Sequence, residues 1–221
     1  MFDLLVNAEG GLTTAGYVVC AIAGIALFVL AILFAGRNSE KKKMGTRQLV
    51  FCAMAIALAY VTSYLKLFSL PLGGSVTLCS MLFIVLIGNW YGVQTGIFAG
   101  LAYGIMQFLQ EPYVLSFFQV CCDYILAFAA LGVAGFFAKS SHGLLKGYIA
   151  AVIARGAFHA LGGYLYWMDY MPENFPQSLK AVYPIVYNYS FLLAEAVITV
   201  IIISIPAVVK GLGQVKKSAL A

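Results

Sequence analysis

Residues 181–209 read AVYPIVYNYSFLLAEAVITVIIISIPAVV, a run of apolar and aromatic residues that carries one amide, Asn188, and one carboxylate, Glu195. About 20 apolar residues cross a hydrocarbon core of roughly 30 Å. The run therefore reads as a membrane-spanning helix. A carboxylate at such depth costs at least a few kcal/mol, so it faces a pocket, a partner or water. The fold is a helical membrane fold, and its few deep polar groups mark where function should be sought.

Working outward, further stretches of the same kind lie at about 14–36, 47–66, 76–90, 91–110, 115–138 and 147–168. The stretch at 76–90 is short. It joins the next through Gly88-Asn89-Trp90-Tyr91-Gly92, which reads as a tight helical hairpin. The composition agrees: 221 residues, 63% hydrophobic and 10% charged. A soluble domain carries roughly a quarter charged residues, so an ordinary water-soluble globule is excluded. The first stretch is not read as a signal peptide, because Asp3 and Glu9 precede it where a basic segment is needed.

Net charge is +5, but the basic residues sit in loops and at the C-terminus. That pattern reports membrane orientation and requires no nucleic acid. The loop at 37–47 carries Arg37, Lys41, Lys42, Lys43 and Arg47 against Glu40. Placing it in the cytoplasm also puts Lys139, Lys146, Lys210, Lys216 and Lys217 inside, and leaves Lys66 and Lys180 outside. Seven spans in the cell membrane, N-terminus out and C-terminus in, satisfy the positive-inside rule.

Gly88, Gly92, Gly96, Gly100 and Gly104 recur every four residues. Small residues at this spacing let helix backbones approach closely, so a packing face is expected. Ala53 with Ala57, and Ala55 with Ala59, form two further small-xxx-small pairs. Taken alone, these too favour internal packing. Cys20, Cys52, Cys79, Cys121 and Cys122 show no metal or redox spacing and read as free thiols. GxxxxGK[ST], HExxH and GxSxG do not occur, so neither ATP hydrolysis by that route nor catalysis has support, and no metal or cofactor is expected.

Helical rise is about 1.5 Å per residue. On that scale Tyr103, Asp123 and His159 lie roughly 12 Å below the outer surface, and Asn188 about 10 Å below it. Trp167 and Tyr183 sit above them, near the mouth. Arg155, His159, Gly163 and Trp167 repeat every four residues and share a face, with Gly163 leaving space between His159 and Trp167. Gln119 lies one turn above Asp123. The alternatives are interfacial-belt roles for Trp167 and Tyr183 and a packing role for His159. Arg155 and Glu195 fall at a common depth, roughly 18–20 Å, on antiparallel spans and are expected to pair as an ion bridge. The outer cluster offers a carboxylate, aromatic faces, an amide and an imidazole, which suits a flat cationic or heteroaromatic ligand.

The run Tyr103-Gly104-Ile105-Met106-Gln107, then Glu111-Pro112-Tyr113, then Gln119-Val120-Cys121-Cys122-Asp123-Tyr124-Ile125-Leu126-Ala127-Phe128 and Leu131-Gly132-Val133-Ala134-Gly135 resembles the thiamine-specific substrate-binding subunits of energy-coupling factor transporters. Ala154-Arg155 with His159 and Trp167, and Tyr183 with Asn188, agree with that family's spacing. The resemblance covers about residues 44–210. It implies an all-α, polytopic membrane protein: a six-helix substrate-binding domain at 44–210, preceded by an extra transmembrane helix and basic loop at 1–43 and followed by a cytoplasmic tail at 211–221. It further implies that Asp123 faces the thiazolium and that Tyr103, Trp167 and Tyr183 form aromatic walls. His159 and Asn188 would hydrogen-bond the ligand, with Tyr124 nearby. Such subunits lack enzymatic activity and associate with a transmembrane coupling protein and two cytoplasmic ATPases. By the resemblance, Ala53 and Ala57 form the docking face for that protein. The loop at 67–76 is expected to lid the pocket, with Phe68 as its only aromatic. The alternatives are a thiamine precursor or another vitamin as ligand, or a structural membrane subunit without one.

Overall fold

A computed structural model describes residues 44–221, together with Leu4, residues 13–16, Val18, Val19 and Ile22. The expected span at 14–36, Cys20 and the basic residues 37–43 lie outside the described residues, apart from those few positions. The described chain runs α1 (Thr46–Ser63), a hairpin of β1 (Lys66–Ser69) and β2 (Ser75–Thr77), α2 (Ser80–Tyr91) and α3 (Val93–Gln110). It continues through α4 (Phe117–Phe137), α5 (Gly143–Tyr170), a short 3-10 segment (Gln177–Val182), α6 (Tyr183–Ser204) and α7 (Pro206–Leu220). Among the described residues, four segments are long and apolar enough to cross a membrane: α1, α4, α5 and Gln177–Ser204, which includes α6. The protein is mainly helical and multi-pass, as expected.

α2 is only 12 residues long and is apolar on every side, so it forms the centre of the bundle. Met81, Ile84, Val85 and Ile87 are fully buried. The outward faces of the surrounding helices are also apolar: Val61, Leu165, Val197 and Ile201 are exposed, as lipid contact requires. The expected short span at 76–90 loses its first residues to β2, whose strand pairs antiparallel with β1. Gly92, at φ 95, ends α2 and opens α3, a backbone conformation that glycine adopts without strain.

The glycine face packs as expected. A Cβ on Gly100 would lie 2.2 Å from the Phe128 carbonyl oxygen, and one on Gly104 2.0 Å from that of Tyr124. From the other side, a Cβ on Gly132 would meet the Ile97 amide at 2.3 Å. α3 and α4 therefore touch backbone to backbone. Gly104→Ala is expected to lower stability by about 3 kcal/mol, at the upper end for overpacking, because backbone cannot step aside as a side chain can. Gly213 of α7 has nothing within 4 Å of its would-be Cβ. Gly213→Ala should instead raise stability by up to about 1 kcal/mol through helix propensity. Thermal unfolding of both variants in detergent checks the contrast.

The last span stops at Ser204 and does not reach 209. Pro206 disfavours helix in the residue before it, and Ile205 is extended (φ −66, ψ 125). α7 then runs across residue 210, so the expected tail at 211–221 is mostly helix. The Tyr91 hydroxyl donates to the Ala219 carbonyl at 2.9 Å and ties α7 to the bundle. The four described cysteines are free thiols, with Cys121 half-buried and the others buried.

Candidate functional site

The hairpin and the ends of α3, α4, α5 and α6 enclose a cavity of about 670 Å3. That size lies within the range of small-molecule sites. Two π-helical turns supply its chemistry: Cys121–Leu126 carries Asp123, and Gly163–Trp167 carries Trp167. Such turns widen a helix by one residue and often mark function. Gly162 leaves room for the carboxylate, since a Cβ there would lie 2.9 Å from Asp123 Oδ1.

Asp123 is held by neutral donors. Gln119 Nε2 donates to Oδ2 at 2.9 Å, and Trp167 Nε1 reaches the same oxygen at 3.4 Å. Gln119 is itself fixed, because its Oε1 accepts from the Leu115 amide. His159 Nδ1 lies 3.1 Å from Oδ1, while its Nε2 accepts from Arg155 Nε at 3.2 Å. With Nε2 accepting, the imidazole proton sits on Nδ1 and points at the carboxylate. Arg155 thus orients Asp123 through a neutral ring without touching it. Among the described residues no Lys or Arg side chain touches the Asp123 carboxylate.

Aromatic rings line the rest. Tyr113 lies at 4.9 Å and 33° to Trp167. Tyr183, Tyr187 and Phe191 form a ladder along α6, with centroid spacings of 5.9 and 6.1 Å. Asn188 Nδ2 donates to the Pro184 and His159 carbonyls, which leaves its Oδ1 without a donor among the described residues. The Tyr124 hydroxyl donates to the Glu111 carbonyl at 2.8 Å and secures the segment that carries Tyr113.

Asp123, Tyr124, His159, Trp167, Tyr183 and Asn188 therefore all reach the cavity. Tyr103 does not. It is fully buried, stands edge-on behind Phe128 at 5.1 Å, and donates to the Ala59 carbonyl. Phe128 is the wall and Tyr103 its backing. Depth alone could not separate the two, because helices apolar on all sides give no sign of which face turns inward. Gly163 also fills a different role from the one expected. Pro184 and Asn188 pack against it, so its missing side chain admits α6.

Nor do Arg155 and Glu195 pair. Arg155 lies 4.2 Å over the Phe128 ring and bonds His159. Glu195 is buried and accepts from the Thr77 amide and hydroxyl, at 3.1 and 2.6 Å, and from the Met81 amide. The free amides and dipole at the start of α2 attract a carboxylate, and that attraction outweighs an ion pair here. Glu195 thus pins the foot of the hairpin. The Tyr187 hydroxyl holds its tip, donating to the Pro71 carbonyl and accepting from the Gly74 amide.

The hairpin meets the cavity at Gly73, Gly74 and Ser75, while Phe68 is exposed. Tyr113, Phe128, Tyr187 and Phe191 were absent from the expected site. For the last two the signal was available, because Tyr183, Tyr187 and Phe191 repeat every four residues. Tyr113 sits in a loop without periodicity.

The family model described as thiamine transporter protein matches residues 49–212. The chain belongs to that family. It is 28% identical over 185 residues to the thiamine transporter ThiT of Bacillus subtilis, a match covering 75% of this chain and 91% of that protein. It also superposes on the solved structure of ThiT from Listeria monocytogenes with a TM-score of 0.65 and 27% identity, covering 79% of this chain and 97% of that one. The thiamine transporter family is non-enzymatic, in keeping with the absence of catalytic motifs.

Proposed function

We propose that this chain is the thiamine-binding subunit of an energy-coupling factor transporter. It takes thiamine into the cavity from the outer side and docks on a coupling protein that carries two cytoplasmic ATPases. The observation that carries the reading is the Asp123 carboxylate, oriented by three neutral donors and without a direct Lys or Arg partner among the described residues. A thiazolium beside it supplies the missing charge. Trp167, Tyr113 and Tyr183 supply stacking faces, and Asn188 Oδ1 accepts a ligand donor.

Two further observations support the arrangement. Ala53 and Ala57 lie on the exposed face of α1, whereas Ala55 and Ala59 are buried. The two alanine pairs thus divide, one for packing and one available to a partner helix. Lys139, Lys146, Lys210, Lys216 and Lys217 gather at the end of the bundle away from the cavity. By the positive-inside rule that end is cytoplasmic and the cavity opens outward. Residues 44–210 supply the binding domain.

Fluorescence tests the site directly, since Trp90 and Trp167 are the only tryptophans. Thiamine is expected to quench emission of the purified subunit with no ATPase present. Trp167→Phe should abolish the quench and Trp90→Phe preserve it. No quenching and no calorimetric heat at micromolar thiamine would sink the reading.

A further inference from the structure

The hairpin of β1 and β2 is held unevenly. Its foot is firm. Val76 and Thr77 are buried, and Glu195 accepts from the Thr77 amide and hydroxyl. Lys66, opposite Thr77 in the strand register, pairs with Glu111 there. Away from the foot little is buried. All four residues of β1 are exposed, Leu67 and Phe68 among them, so apolar burial does not hold the strand down. Segments with few buried contacts open at the low end of a protein's stability range.

The tip is tied to itself and to one side chain. The Leu70 amide donates to the Gly74 carbonyl at 2.6 Å, closing the turn around Pro71–Gly73. Among the described residues, the hydrogen bonds from Leu70–Gly74 to the rest of the chain both end on the Tyr187 hydroxyl. It donates to the Pro71 carbonyl and accepts from the Gly74 amide at 3.3 Å. A separate packing contact falls at the same place. A Cβ on Gly74 would lie 2.7 Å from the Phe191 ring and 3.2 Å from the Tyr187 hydroxyl oxygen. The tip therefore sits directly on two rungs of the α6 ladder, and both rungs line the cavity.

We propose that Tyr187 is a positioning residue that latches the hairpin over the cavity and so sets how fast the ligand enters and leaves. The hinge is the foot pinned by Glu195, and the catch is a single hydroxyl. The ligand's identity rests on the thiamine reading above, whereas the latch rests on the hairpin's own contacts. Flaps of this kind control passage in both directions, since the same opening admits and releases the ligand.

Two variants and two measurements test this. Tyr187→Phe removes the hydroxyl and keeps the ring in the ladder. Gly74→Ala suits the backbone at that position (φ −66, ψ 132) and adds only the methyl that lifts the tip from Phe191. The first measurement needs no ligand: hydrogen exchange of the full chain in detergent, read by mass spectrometry over residues 65–78. Both variants should exchange the Leu70 and Gly74 amides at least tenfold faster than the parent, with α2 unchanged. The second is stopped-flow quenching of Trp167 by thiamine. In Tyr187→Phe the association and dissociation rate constants should both rise at least threefold. The proposal is overturned if hairpin exchange in Tyr187→Phe matches the parent. It is also overturned if dissociation alone accelerates, which marks a lost ligand contact. If Gly74→Ala does not fold, Tyr187→Phe decides. In a parent that thiamine does not quench, faster hairpin exchange in the variants would still support the latch, while the thiamine reading would fall.

Discussion

Asp123→Asn is expected to weaken thiamine binding by about a hundredfold. The substitution preserves shape and volume but removes the charge proposed to face the thiazolium. A hydrogen bond or contact to a charged group contributes about 1.5–3 kcal/mol, and a hundredfold corresponds to about 2.7 kcal/mol. The amide also turns one acceptor into a donor. Three donors, from Gln119, Trp167 and His159, converge on the carboxylate, so the new NH2 must face one of them. Calorimetry with the two halves of the ligand separates charge from shape. The cationic thiazolium half should lose most of its binding to the variant, and the neutral pyrimidine half little. Equal losses for both halves would show that the substitution disordered the cavity, and an unchanged thiamine affinity would place Asp123 in a structural role.

Ala53→Trp combined with Ala57→Trp is expected to abolish uptake in cells and co-purification with a coupling protein, while thiamine binding to the isolated subunit stays within about threefold, roughly 0.7 kcal/mol. Both alanines face outward on α1, away from the buried pair Ala55 and Ala59. Among the described residues, bulk added there meets no neighbour inside the bundle, and it holds an approaching helix away. The cavity takes its walls from other elements, at the opposite end. Uptake that survives the double substitution would put the docking face elsewhere. Binding lost together with uptake would return the alanines to internal packing.

Much of this was legible before any coordinates. Four of the spans were, because a bilayer demands long apolar runs and punishes every exception. Depth was also legible, because helical rise converts residue count into distance. That is why Tyr103, Asp123, His159 and Asn188 could be brought to one level from four different stretches, and why the glycine repeat could be assigned to close packing. The direction in which a side chain leaves its helix was hidden. A soluble helix shows its inner face by its polar outer one, whereas here Val197 and Ile201 face lipid as readily as Leu192 and Ile203 face the core. Tyr103 and Phe128 could therefore exchange roles, and Arg155 and Glu195 could share a depth without meeting. The π-helical turns under Asp123 and Trp167 add a rotation that a four-residue count does not contain.

The sequence by itself determined the membrane class, four of the spans and most of the polar residues that line the cavity. Only the tertiary structure decided which of them share a cavity, and that the hairpin lines it at Gly73, Gly74 and Ser75. The reason is physical: position along a helix follows from composition and rise, whereas facing is set by which neighbour each helix packs against.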